Sequence, residues 1–414
     1  MIKIGKYTAA LLLVTVGVLL LLDLTMKTAL IEKAIPWWPV ILISVGLEYL
    51  ILGTRHRDPD KKLSLAFGSL ALSVVLSLVV VGYSQGTTML PLKDLNLNLT
   101  GINLAEETGQ KFEKEPLQLA LDDRIVKVSV KNKNGDVTVR EGDVSKLTID
   151  VTVYVHQSKK DEADAIAEAS IIEANHSGNT MTIEAKGKKY RLLGLNHEPR
   201  MNMVITVPQD DGGRDYQFDL LNGDINVAGI AIRESIKGDT TNGKINLQHL
   251  IGDIQVDTTN GKIVMTDIQG YVQSNTTNGN IEIVDVDGDI NVDTTNGSIT
   301  VTRVTGLVKA DTTNGSITLT DVEQGVNAQT TNGSITARTD KLGGDWKLET
   351  THSKIQVYLP EDASFEVDGE GGIAGSISTN FPLNVKKDEI KGSVNGGTYK
   401  IELETIGGIG VHKN

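Results

Sequence analysis

The chain has 414 residues, no cysteine, 4% aromatic residues and a formal net charge of −13, which excludes disulfides, thiolate metal sites and cysteine nucleophiles. The charge is uneven: residues 1–92 hold eight Lys/Arg and five Asp/Glu, a balance of +3, so the rest carries −16. An acidic remainder with no basic cluster beyond 186–190 argues against a nucleic-acid ligand and against general adsorption to anionic lipid, both of which need concentrated Lys/Arg.

Three apolar stretches open the chain, at about 7–24, 36–53 and 63–83, each near the length a helix needs to cross the roughly 30 Å hydrocarbon layer. They predict a three-helix transmembrane anchor over 1–83. No small-residue cleavage site follows the first stretch, so it reads as a span rather than a removable signal. Lys3 and Lys6 precede the first span, and Arg55, Arg57, Lys61 and Lys62 lie between the second and third. The positive-inside rule puts both groups in the cytoplasm, which places everything after Tyr83 outside. The expected location is therefore the cell membrane, multi-pass, with an extracytoplasmic C-terminal domain. Trp37, Trp38 and Tyr83 sit where amphipathic rings anchor in the headgroup layer. Asp23 and Glu48, at helix ends, read as interfacial charges.

Residues 84–122 are polar and irregular and read as a linker. Over 123–208 a β-rich lead-in segment with one helix is expected. Val126, Val128 and Val130 alternate up to Asn134-Gly135, and Leu147, Ile149, Val151, Val153 and Val155 alternate again. Between them and two further strands near 181–185 and 201–207, a helix over 158–173 is indicated by a capping-box pair, Ser158 and Asp161, and by a stripe of Ala165, Ile166, Ala169 and Ile172.

From 209 to 405 a repeat dominates. Thr-Thr-Asn-Gly recurs six times, with Asn-Gly at Asn242-Gly243, Asn260-Gly261, Asn278-Gly279, Asn296-Gly297, Asn314-Gly315 and Asn332-Gly333, a period of 18 residues without drift. Further glycines fall midway, at Gly252, Gly270, Gly288 and Gly306, so each period is a strand and a turn, twice over. After each corner apolar residues alternate with polar ones, as in Ile299 and Val301 between Ser298, Thr300 and Thr302. A single such strand cannot bury its apolar face, but coils stacked about 4.8 Å apart bury a continuous thin core. The expected fold class is all-β: a parallel β-helix, β-roll-like, with 18-residue coils. The Asn-Gly pair is expected to supply positive φ at the corner, and the stacked asparagines to share amide hydrogen bonds. Irregular copies at Asn222-Gly223 and at His352-Ser353 mark coils near the ends, and 406–414 reads as a tail.

Stacking would bring Asp239, Asp257, Asn275, Asp293, Asp311 and Gln329 into one column. Adjacent carboxylates repel, and a divalent cation could bridge them, yet the calcium-binding glycine-aspartate nonapeptide is absent and Asn275 and Gln329 interrupt the file. Solvated aspartates bonded by the neighbouring threonines are the favoured reading, with Asp239, Asp257, Asp293 and Asp311 as weak metal candidates. The seven histidines are scattered without ligand spacing. No catalytic residues, cofactor or enzymatic activity are expected.

Several of these features resemble the toastrack, or putative-adhesin, β-strand-repeat family of bacteria: the 158–173 helix after paired strands, the 201–207 strand ending at Pro208, and the Asn-Gly repeats from Asn222 onward. The segment Trp37-Trp38-Pro39-Val40-Ile41-Leu42-Ile43, followed by Gly46, is similar to the LiaI/LiaF-type transmembrane region. Together the resemblances imply a non-enzymatic binding or scaffold module of the cell envelope, acting in the envelope stress response with a membrane partner such as a sensor kinase. A surface adhesin or structural spacer is the alternative.

Overall fold

The computed structural model describes residues 109–414 except 123, 158, 193, 194, 210, 211, 373 and 374, and of the preceding part only 2–4, 8, 15, 18, 44 and 63–65. In the N-terminal unit, 1–106, Ile2–Ile4 and Leu63–Leu65 pair as two short parallel strands, so the helix expected from residue 63 does not begin there. Among the described residues no helix is long and apolar enough to cross a membrane. Within the first two expected spans Thr8, Thr15, Val18 and Ser44 are helical, and, apart from Leu63–Leu65, the other residues of the three spans, with Trp37, Trp38 and Tyr83, lie outside the described residues.

The second unit, 107–414, is built from two sheets of 15 strands each. One coil shows the plan. Ile263–Gln269 crosses the first sheet, the chain turns at Gly270, Val272–Thr276 crosses the second, and Thr277, Asn278 and Gly279 lead back to Ile281–Asp287. The next coil lies in register on this one, with Ile263 beside Ile281 and Val272 beside Ile290, and all pairings through the repeats are parallel. The 18-residue period is therefore the circumference of a coil, as expected of a parallel β-helix.

The core is a set of files along the stacking axis. Ile245, Ile263, Ile281, Ile299, Ile317, Ile335 and Ile355 form one file, each with 0% of its surface exposed. Full burial of such a side chain is worth about 1.5–3 kcal/mol, so every coil depends on the coils above and below it. On the second sheet the corresponding file mixes sizes: Phe218 lies beside Gly238, followed by Val256, Ser274, Val292, Ala310 and Ala328. Val256 and Ile225 close on Gly238, with the Phe218 ring next to them, and that ring stacks on Tyr216 at 6.3 Å.

Strict alternation fails at one place in each coil. Ile263 and Met265 are buried, Asp267 is exposed, and Ile268 is buried again. The register skips Asp267, because Gln248 pairs with Thr266 and Leu250 with Ile268. Asp267 has a left-handed φ of 56°, and its stack-mates His249, Asp285, Arg303 and Asp321 lie between 53° and 58°. This bulge resets the side-chain parity and turns Leu250, Ile268, Val286, Val304 and Val322 into the core.

Both ends depart from the expectations. The helix spans Lys160–Glu168 and not 158–173, and it buries Ala163 and Ala167 instead of Ala165 and Ala169. Its Ncap, Lys159, makes no side-chain cap bond, and Ser158 lies outside the described residues. Residues from Ile171 form an edge strand, Ile171–Ser177, which pairs antiparallel with Thr180–Lys186 across a turn at Gly178. The β-branched pair Ile171-Ile172 favours this strand over a further helical turn. Gln110–Glu113 and Leu117–Leu119, inside the stretch expected as a linker, pair with Leu147–Val155.

At the other end the order of strands in space departs from their order in the chain. Trp346–Thr350 is followed in its sheet by Tyr399–Thr405, not by the next strand in sequence, and Phe365–Glu370 lies beyond it. The intervening chain closes the stack with antiparallel strands, Phe365–Glu370 against Glu389–Val394. The expected tail 406–414 is a strand, Ile409–Lys413, which pairs with Ile355–Leu359 and buries Ile409 and Val411. The second sheet ends in antiparallel strands on both sides, whereas the first ends at its C-terminal side in Ile377–Thr379, a short strand parallel to Ile409–Lys413. Short or antiparallel end strands limit the edge that an open β-helix would present to other chains.

Candidate functional site

The Thr-Thr-Asn-Gly corners stack as the sequence predicts, and the structure shows how. Each asparagine Nδ2 donates to the Oδ1 of the asparagine one coil earlier, at 2.7–2.8 Å, in an unbroken series from Asn332 through Asn314, Asn296, Asn278, Asn260, Asn242 and Asn222 to Asn134. Asn222 and Asn134 join the ladder because the coil from 222 to 242 places its two extra residues away from this corner, near Gly229. His352 occupies the rung above Asn332, with its N–H donating to the Thr331 carbonyl.

The role expected for glycine is different in fact. None of Gly243, Gly261, Gly279, Gly297, Gly315 and Gly333 has a left-handed φ, nor do their asparagines. These glycines are required by close approach: a Cβ on any of them would overlap the carbonyl of the glycine one coil earlier. Positive φ occurs at the opposite corner, where Gly252, Gly270 and Gly288 have φ of 138–154°. The first threonine of each motif is buried, and its hydroxyl donates to that same glycine carbonyl, as Thr258 to Gly243 at 3.1 Å and Thr312 to Gly297 at 3.0 Å. The expectation that these threonines bond the aspartates is thus corrected: the hydroxyls turn inward and satisfy the corner backbone.

The aspartates lie on the outward face of the second sheet, one position before the buried threonine. In-register pairing brings Asp239, Asp257, Asn275, Asp293, Asp311 and Gln329 into one file, as predicted. The file is longer than the motif. Asp219 extends it at one end, and Glu349, Glu404, Glu370 and Glu389 extend it at the other. Along Asp257 to Glu389 it lines a groove of about 1320 Å³, with the exposed threonines of the motif on one bank and no Lys or Arg among the lining residues.

The electrostatics follow the geometry. Burial, then the charges of Asp257 and Asp219, pushes the Asp239 carboxyl up, and burial, then Asp311, does the same to Asp293. Asn275 donates to Asp257 at 2.6 Å, while Lys309 pairs with Asp311 at 3.2 Å and Lys347 with Glu349 at 2.7 Å from outside the groove. Among the described residues no group of three or more His, Asp or Glu is arranged to hold a metal ion. Asn275 and Gln329 divide the carboxylates: Asn275 reaches Asp257, Lys309 reaches Asp311, and Asp293 and Asp311 meet side chain to side chain. Asp239, Asp257, Asp293 and Asp311 thus come together as parts of one surface file.

A second charged file runs along the bulge. His249 Nδ1 lies 2.8 Å from Asp267 Oδ2, and the Arg303 guanidinium grips both Asp285 oxygens. Sequence reasoning missed it, although the 18-residue spacing of Asp267, Asp285 and Asp321 was a usable signal. Nearby Asp253 and Asp289 accept the backbone N–H of Tyr271 and Leu307 in the next coil, which ties neighbouring turns together.

No curated protein matches the chain. Solved structures that match it include a "putative cell adhesion protein" from Clostridium sporogenes, at 11% identity over 74% of this chain and 100% of that one, TM-score 0.17. A "putative adhesin" from Bacteroides fragilis matches at 12% identity over 74% and 98%, TM-score 0.28, and another from Parabacteroides merdae at 16% over 61% and 97%, TM-score 0.29. The family model described as Toastrack DUF4097 matches residues 125–408, from the first strands of the lead-in to the last coil, and the chain belongs to that family.

Proposed function

We propose that the protein is a non-enzymatic scaffold, held at the outer side of a cell membrane by its N-terminal segment, that offers the acidic groove to a cationic envelope component as part of the envelope stress response. The observation that carries the binding role is the outward file of carboxylates over a rigid stack, lining a groove without a lysine or arginine. Such a surface presents carboxylates in a file of strands about 4.8 Å apart, interrupted at Asn275 and Gln329, which suits an extended partner with recurring positive charge. Catalysis needs a singular nucleophile or acid–base pair, whereas each carboxylate here is one of a series.

The apolar stretches at 7–24, 36–53 and 63–83 and the Trp37-Trp38-Pro39 segment support the membrane reading and the LiaI/LiaF-like role beside a sensor kinase. The alternative is an adhesin or spacer. It is favoured by the length of the stack, since 15 strands at about 4.8 Å make a rod of roughly 65 Å. Pull-down from native membranes before and after envelope damage separates the two. Recovery of a membrane kinase that is lost when Asp293, Asp311 and Glu349 are changed to the amides supports the proposal. A deletion strain with unaltered stress-promoter output would remove the regulatory role.

A further inference from the structure

Asn-Gly is the dipeptide most prone to spontaneous deamidation. The glycine amide nitrogen, unhindered by a side chain, attacks the asparagine Cγ, the Cγ–Nδ2 bond breaks and ammonia leaves. Water then opens the cyclic imide to isoaspartate or aspartate. The chain carries nine such pairs, and eight of their asparagines form the single ladder from Asn134 to Asn332.

Ring closure needs the side chain to swing and the backbone to rotate until the glycine nitrogen reaches Cγ. In the ladder both motions are opposed. At Asn278 the Nδ2 donates to Asn260 and the Oδ1 accepts from Asn296, each at 2.8 Å. Its backbone N–H donates to the Thr259 carbonyl at 2.9 Å, and Gly279 is pressed against the Gly261 carbonyl. Attack at one rung therefore breaks bonds to both neighbours and lifts a packed corner. We propose that the asparagine ladder holds these Asn-Gly pairs shut against isoaspartate formation, and that losing one rung opens its two neighbours to it.

The test is a peptide map, resolving aspartate from isoaspartate, of the full-length protein aged in warm, mildly alkaline buffer. Conversion at Asn260, Asn278 and Asn314 is expected to be at least about tenfold slower in the folded protein than in urea. Asn296→Ala removes the donor to Asn278 and the acceptor for Asn314, and conversion at these two positions should rise about fivefold while Asn242 keeps its wild-type rate. Asn296→Asp keeps an acceptor for Asn314 but not the donor to Asn278, so its gain should be confined to Asn278. Equal rates in folded and urea-treated protein would overturn the proposal. So would an Asn296→Ala protein that folds, by circular dichroism, and ages no faster at Asn278 and Asn314 than at Asn242. Should Asn296→Ala not fold, the Asn296→Asp pattern decides alone.

Discussion

At Gly279 a single methyl group decides whether two coils can meet, since a Cβ there would overlap the Gly261 carbonyl. Gly279→Ala must push the stack open, and overpacking of this kind costs about 3 kcal/mol, to be read as a lower urea midpoint. The opposite effect is expected at Ser274, whose hydroxyl is fully buried without a partner in a file that elsewhere accepts Ala310 and Ala328. Ser274→Ala removes an unpaired polar group and should stabilise the fold by about 1 kcal/mol in the same titration. Asp293 gives a pH signature. Burial and Asp311 raise its carboxyl above the ordinary 3.8, so the folded protein holds this proton more tightly than the unfolded chain does. That contribution is present below pH 3.8 and lost as pH rises through the raised value. Asp293→Asn is therefore expected to be more stable than wild type at neutral pH, with the gap closing below pH 3.8. A gap independent of pH would count against the burial argument.

At the scale of elements, the repeat is the legible part, because identical corners at fixed spacing can only be reconciled with a common core by stacking. Asp239, Asp257, Asp293 and Asp311 were readable as one file for that reason. Glu349 was not, because the coil before it is two residues longer, and Glu404, Glu370 and Glu389 were not, because Trp346–Thr350 stacks on Tyr399–Thr405 across an excursion of the chain. Spacing arithmetic fails wherever the order in space departs from the order in sequence. The helix end was misread for a local reason: alanines at 165 and 169 suit a helical stripe, but Ile171-Ile172 commits the chain to an edge strand. The buried Ile268 and its stack-mates were hidden by the left-handed bulge at Asp267, which shifts parity without a glycine to announce it. If the coil is the unit of folding, removing residues 281–298 leaves Ile299 following Asn280 in register. The shortened protein is expected to unfold cooperatively with a smaller urea m-value, since less surface is exposed. Removing only 281–289 exchanges the two sheets from that point on and is expected to abolish the transition.

At the scale of the whole molecule, the proposed function requires the stacked, acidic unit 107–414 to lie on the outer side of a membrane. Between its end strands, Ile171–Ser177 and Asn384–Val385 in the second sheet, every strand of that sheet is paired on both sides, so the flank of the stack presents side-chain files. The absence of cysteine in the sequence makes topology directly measurable, because each introduced thiol is the sole reactive one. Thr295 is exposed at a corner of the rod, and Arg57 lies in the loop that the charge pattern assigns to the cytoplasm. With a membrane-impermeant maleimide on intact cells, Thr295→Cys is expected to label at once and Arg57→Cys only after lysis. Labelling of Arg57→Cys on intact cells, with Thr295→Cys protected until the membrane is opened, would contradict the account.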